Sequence, residues 1–369
     1  MGAIASFRRT FFGSPGSVLL IGCLVSFPHN VAAQADVADG TLRERIKQRI
    51  LKARQDKSSS APQAEARSSI DRPGDYSLSM VHDGLTRRYR VHVPLAYRAA
   101  TPTPMILAFH GGGGDMTYMA TDAYYGLIST SEAAGFIVVF PNGFSLLSSG
   151  KFAAWNAGTC CATARDKNID DVGFIKAVVS HLRSQLNVAP DRIYATGMSN
   201  GGMMSYRLAC EMATTFKAIA AVAGTDNTTS CSPKVPISIL HIHARNDDHV
   251  LYNGGAGKNA FRDQTKISDF ISVPATIAQW VERNGCHAPP QRVLETSGAY
   301  CERYTQCRGN VAVQLCVTER GGHSWPGGSK PRGDEPPSQA LSANDIMWTF
   351  FNSVTDQSAT SISPPAPLP

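Results

Sequence analysis

The sequence predicts an α/β protein with a mainly parallel central sheet, an antiparallel N-terminal hairpin and helices on both faces, and three features carry that expectation. Short apolar runs alternate with segments of helical spacing, as in repeated βα units with right-handed crossovers. One run, Pro104 to Phe109, is almost wholly apolar, the composition of a strand covered on both faces. The pentapeptide Gly197-Met-Ser-Asn-Gly201 stands between a strand-like run, Arg192 to Thr196, and a helix-like one, Gly202 to Cys210. A tight strand-to-helix turn needs small residues there, because backbone passes close to backbone.

Residues 1–33 read as an export signal. Arg8 and Arg9 precede an apolar segment, Ser17 to Phe27, that is too short to span a bilayer, and Val31-Ala-Ala33 offers a small-residue cleavage pattern. Phe7 to Phe11 partly resembles a twin-arginine signal, and Leu20-Ile-Gly-Cys23 a lipoprotein box, although the apolar run continues past Cys23. The mature protein is therefore expected to be secreted or periplasmic. Residues 34–72 divide into a basic amphipathic helix, Thr41 to Gln55, and a low-complexity linker, Lys57 to Ser69. The narrow stripe of Leu42, Ile46, Ile50 and Leu51 suits a solvated leader helix, and admits weak contact with an anionic membrane surface.

The folded domain is expected over 73–354. It opens with a hairpin, Asp75 to Val81 and Arg87 to Val93, around the turn signal Asp83-Gly84. After the Pro104 strand come a helix (Asp122 to Ala134), a strand (Phe136 to Phe140) and a long interruption carrying Trp155, Asn156, Cys160 and Cys161. A helix from Asp171 to Leu186 follows, capped by Asp170 or Asp171. Beyond the serine turn, Phe216 to Val222, Pro236 to Ile242 and Val311 to Thr318 read as strands, and Pro274 to Asn284 and Ala340 to Val354 as helices. Residues 355–369 are expected to form a disordered tail.

The net charge of +6 at 369 residues is concentrated in the basic N-terminal segment, so no nucleic-acid partner is expected for the folded domain. Eight cysteines remain besides Cys23, an even number that in an exported chain points to disulfides. Adjacent Cys160 and Cys161 are expected to bond to different partners. No zinc spacing is present, so neither metal nor cofactor is expected.

A serine hydroxyl needs a base to take its proton and a third group to hold that base. Ser199 is the candidate nucleophile and His323, in Gly321-Gly-His-Ser-Trp-Pro-Gly327, the candidate base. Asp247 and Asp248 both stand where a strand ends after the nucleophile. The order Ser, Asp, His is that of α/β-hydrolases. His110-Gly-Gly-Gly-Gly114 after a strand suits an oxyanion hole, with the N–H of Asn200 and one from Gly112 or Gly113 as donors. Trp155 and Trp325 are candidate walls for an apolar or aromatic acyl group. His110 is a candidate at the substrate edge, its other role being to order the glycine loop, and His249 is read as a solvated loop residue.

With those residues assembled, the chain resembles the polyhydroxybutyrate depolymerase family of secreted esterases, relatives of feruloyl and acetyl-xylan esterases. The resemblance rests on His110 to Gly114, Trp155 to Cys161, Asp170 to Ile175, Gly197 to Gly202, the loop from His243 to Tyr252, and Gly321 to Gly327. It implies an α/β-hydrolase that cleaves carboxylic esters through an acyl-enzyme, with hydroxybutyrate polyester or its oligomers as substrate and feruloyl or acetyl-xylan esters as the alternative. It also selects Asp247 as the acid. Ala244, Asp248 and His249 depart from the family's pattern and imply a more polar cleft edge. A non-catalytic binding protein of the same fold would be expected to lack one of these residues, and all are present. Oligomeric state is not legible.

Overall fold

The computed structural model describes residues 69–260, 269–330 and 335–359. The expected export signal, basic helix and most of the linker lie outside the described residues, as does the tail from 360. Gly74–His82 (β1) and Leu85–Val93 (β2) pair antiparallel from Gly74↔Val93 to His82↔Leu85. Asp83 and Gly84 between them have φ of 49° and 71°, the left-handed pair of a type I′ turn.

The chain continues through Thr103–Phe109 (β3), Met116–Met119 (α1), Asp122–Tyr125 (α2), Leu127–Ala134 (α3) and Ile137–Pro141 (β4). The helix expected over Asp122 to Ala134 is thus two, because Gly126 takes a left-handed φ of 63° between them. Ala162–Asp166 (α4), Asp171–Gln185 (α5), Val188–Met198 (β5), Asn200–Glu211 (α6), Ala218–Val222 (β6) and Ser238–Ala244 (β7) follow. Then come Val273–Asn284 (α7), Gln291–Thr296 (β8), Ala299–Tyr304 (β9), Val313–Thr318 (β10) and Ala343–Ala359 (α8). The closing helix therefore runs past the expected end at Val354.

Among the described residues the strands form one sheet in the order β1-β2-β4-β3-β5-β6-β7-β10-β9-β8. The block from β4 to β10 is parallel, and antiparallel pairs flank it at both edges. The hairpin β8–β9 was not expected. Its segments are rich in charged residues and β8 is largely exposed, so they lack an apolar run, and Cys301 is tied across β9 and β10 to Cys316.

Side chains of the central strands alternate between two cores. Met105, Leu107 and Phe109 of β3 join Phe174, Val178, Met203 and Trp280 on one face. Ile106 and Ala108 join Leu127, Phe350 and Phe351 on the other. On α8, Met347, Phe350, Phe351 and Val354 are buried at helical spacing, and each side chain contributes about 1.5–3 kcal/mol. Asp170 is the cap of α5, accepting from Gly173 N–H at 2.8 Å. Asp171 is instead buried against Arg87 at 2.5 Å and accepts the Asn156 N–H at 2.8 Å, anchoring the long interruption.

Cys210–Cys231, Cys286–Cys307 and Cys301–Cys316 are bridged. Cys160 and Cys161 pair with each other across a cis peptide, contrary to the expectation of separate partners. Among the described residues the other six cysteines are bonded to one another, which leaves these two as each other's partners. No described helix is long and apolar enough to cross a membrane.

Candidate active site

β5 delivers Ser199 at the C-terminal edge of the parallel block, and α6 departs at once from Asn200. Ser199 holds φ 57° and ψ −125°, a conformation that costs a non-glycine residue on the order of 1–3 kcal/mol. Surrounding bonds fix it: its N–H donates to Val222 O at 2.8 Å, and its carbonyl accepts from Met203 N–H at 2.9 Å. Close approach explains the flanking glycines. A Cβ on Gly201 would stand 2.1 Å from Phe109 O, and one on Gly224 2.2 Å from Ser199 O.

Of the expected donors in the glycine loop, Gly113 is already committed, its N–H donating to Ala153 O at 2.8 Å. Gly112 lies beside Asn200, whose N–H opens the first turn of α6 and so has no partner four residues back within the helix. Gly111, Gly112 and Asn200 line the cavity in front of Ser199.

Two residues expected to meet substrate do something else. His110 is fully buried, donates from Nδ1 to Gly111 O at 2.8 Å and accepts the Gly143 N–H at Nε2 at 2.9 Å. Burial holds its pKa down at about 4, so it stays neutral and orders the glycine loop. Trp155 is also fully buried. Its indole N–H donates to His110 O at 3.0 Å, and its backbone is clasped by the Asn200 amide through bonds of 2.7 and 3.0 Å. For both, the alternative role holds: His110 orders the glycine loop and Trp155 packs in the core. Trp325 does line a cavity beside His323, with its indole N–H on Asn344 Oδ1 at 3.1 Å.

The acid ambiguity resolves in the geometry. Nδ1 of His323 lies 2.8 Å from Asp247 Oδ2, while Asp247 Oδ1 accepts the N–H groups of His249 and Val250 at 2.8 and 2.9 Å. Burial pushes the Asp247 carboxyl up, but the facing His323, then His243 and the backbone donor, more than offset it and hold the pKa at about 2. Asp248 turns away, receiving His249 Nδ1–H at 2.7 Å and pairing with the Asn259 amide.

His249, read from sequence as a solvated loop residue, stacks on His323 with ring centroids 4.4 Å apart and planes at 14°. Its pKa is lowered by burial and by His323. No local spacing could have signalled that stack, since the rings come from loops that meet only in the fold. Ser199, His249 and His323 line one cavity of about 1100 Å³, whose lining also includes the aromatic Tyr118, Tyr124, Tyr125 and Phe152 and the cationic Arg88 and Lys151. A smaller cavity of about 480 Å³, lined by Tyr125 and Trp325, adjoins it at His249 and His323.

Ligand atoms of Asp247, His249 and His323 lie within 4.8 Å of one another, but the Asp247 oxygens are taken by the bonds just described. Cys210 and Cys231, grouped near Asp226, are bonded to each other and offer no thiolate.

This is an α/β-hydrolase fold with the residues of a serine hydrolase gathered at the end of its parallel strands. The model of the prolyl oligopeptidase family matches residues 126–234, which include the Ser199 turn. "Probable feruloyl esterase C" of Aspergillus niger is 32% identical over 275 residues, covering 73% of this chain and 86% of that protein. The chain belongs to that feruloyl esterase family. "Feruloyl esterase B" of Piromyces equi is 32% identical over 248 residues, covering 64% of this chain, and the chain spans 42% of that protein's length. An acetyl xylan esterase structure from Aspergillus awamori shares the fold at a TM-score of 0.50 and 14% identity, covering 76% of this chain and 99% of that one.

Proposed function

We propose that this chain is an exported carboxylic ester hydrolase acting on esters of aromatic acids, of the feruloyl type, through an acyl-enzyme on Ser199. The observation that carries the reading is His323, held by Asp247 at 2.8 Å in the same cavity as Ser199. In the first step His323 takes the Ser199 proton as Oγ attacks the ester carbonyl, and the N–H groups of Asn200 and Gly112 receive the oxyanion. His323 then gives its proton to the leaving alcohol. Water, activated by the same imidazole, hydrolyses the acyl-enzyme. Asp247 remains ionised throughout and fixes the imidazole tautomer.

The tyrosine and phenylalanine wall favours an aromatic acyl group. The named relatives are feruloyl esterases, which supports the aromatic substrate over the hydroxybutyrate polyester first inferred from motif resemblance. Three bridges between cysteines that are not neighbours in sequence support export, since such bonds persist in oxidising compartments.

The test is a panel of methyl ferulate, hydroxybutyrate oligomers and p-nitrophenyl acyl esters of increasing length. Methyl ferulate is expected to give the highest kcat/KM, and preference for hydroxybutyrate oligomers would sink the substrate assignment. Ser199→Ala should lower kcat by about 10⁴-fold or more, and turnover near that of the unsubstituted enzyme would sink the mechanism.

A further inference from the structure

A row of buried polar side chains between α6 and the acid loop is not used by the mechanism above. Tyr206 Oη lies 2.8 Å from His241 Nδ1, and His241 Nε2 lies 3.0 Å from His243 Nδ1. His243 Nε2 then meets Val250 O at 2.8 Å and stands 3.4 Å from Asp247 Oδ2. All three side chains are buried, and the two imidazoles, on one face of β7, stack with planes at 7°.

The hydrogens in this row have only one consistent arrangement. A carbonyl oxygen only accepts, so His243 Nε2 carries a proton and donates it to Val250 O. Burial lowers the pKa of both histidines, so each is neutral and has a single N–H. Nδ1 of His243 must then accept, which makes His241 Nε2 the donor. Nδ1 of His241 in turn accepts from the Tyr206 hydroxyl. Burial raises the Tyr206 pKa far above the ordinary range, so that hydroxyl keeps its proton.

We propose that His243, its tautomer fixed by Val250 O and its Nδ1 held by the His241–Tyr206 row, is a positioning residue that holds Asp247 against His323. It acts along two short routes. Its N–H faces the Asp247 oxygen that receives His323 Nδ1, and it grips the carbonyl of Val250, whose N–H donates to the other Asp247 oxygen at 2.9 Å. Tyr206 sits on α6, the helix that begins at the nucleophile turn, so the row closes a loop from Ser199 through α6 and β7 to Asp247 and His323. β6 lies between the strands carrying nucleophile and acid, and Ala221 pairs with His241 across it. The inference rests on the reading of Ser199, His323 and Asp247 as a triad.

The experiment compares His243→Leu, His243→Gln and Tyr206→Phe with the unsubstituted protein on a p-nitrophenyl ester, with kcat expressed per folded molecule from near-ultraviolet circular dichroism. His243→Leu should lower kcat by roughly 10- to 100-fold, the scale of a small misplacement of catalytic groups, with KM within about two-fold. His243→Gln, which keeps an N–H donor, should recover most of that loss, and Tyr206→Phe should lower kcat by roughly three- to ten-fold. In the absence of substrate, the low-field proton resonance of the His323 Nδ1–H should move in His243→Leu. Unchanged kcat per folded molecule in His243→Leu, or an unmoved resonance, overturns the proposal. Absence of ester turnover in the unsubstituted protein would sink the triad reading instead, and the resonance would still decide the position of His243.

Discussion

Asp247, the proposed acid of the triad, is buried and ionised at once. A carboxylate out of water is costly, yet it stays ionised because His323 and two backbone N–H groups face it. Its folded pKa of about 2 lies below the ordinary aspartate value, so its stabilising contribution is present above about pH 4 and is lost as pH falls through about 2. That contribution is roughly 2 kcal/mol at neutral pH. Urea unfolding followed between pH 5 and pH 2 should show the loss, and Asp247→Asn should flatten that part of the profile while lowering kcat by about 10⁴-fold. Asp248→Asn should leave kcat almost unchanged. Adjacent acids cannot be told apart by their position at the strand end, which leaves two candidates until the family resemblance selects Asp247. The fold separates them because one carboxylate points inward and the other pairs with His249.

Strands with continuous apolar composition, such as β3 and β6, were legible because both faces meet a core. The β8–β9 hairpin was not, since its residues are mostly charged or exposed and its pairing depends on β10. The break in the Asp122 to Ala134 segment was hidden for another reason: apolar spacing survives a glycine that turns left-handed. At the serine turn the elements meet so closely that composition is dictated by contact. Gly201→Ala would place a methyl 2.1 Å from Phe109 O, so β3 or α6 must shift. The variant is expected to lose about 1–3 kcal/mol in urea unfolding and most of its ester turnover, and a wild-type profile would contradict the packing argument. The Tyr206–His241–His243 row was illegible in sequence because its members lie on a helix and a strand that face each other only after folding.

Across the molecule, the bridges close short loops on both sides of the sheet, Cys210–Cys231 in one core and Cys301–Cys316 in the other. Cys210–Cys231 joins the end of α6 to the loop after β6 across 21 residues. Replacing both cysteines by alanine should cost about 3 kcal/mol in equilibrium unfolding, chiefly by freeing the unfolded chain, with little change in KM. The cleft wall from 142 to 161 is fastened differently. The Asn200 amide, one residue past the nucleophile, clasps the peptide groups of Trp155, while Phe152 of the same segment stands 74% exposed at the rim. The proposed nucleophile turn and the cleft wall thus share the Asn200 clasp, beside the bonds from Asp171 and Gly113. On that geometry, diversification can exchange the visor around position 152 for new substrates while Trp155 and Asn200 keep the cutting edge in register.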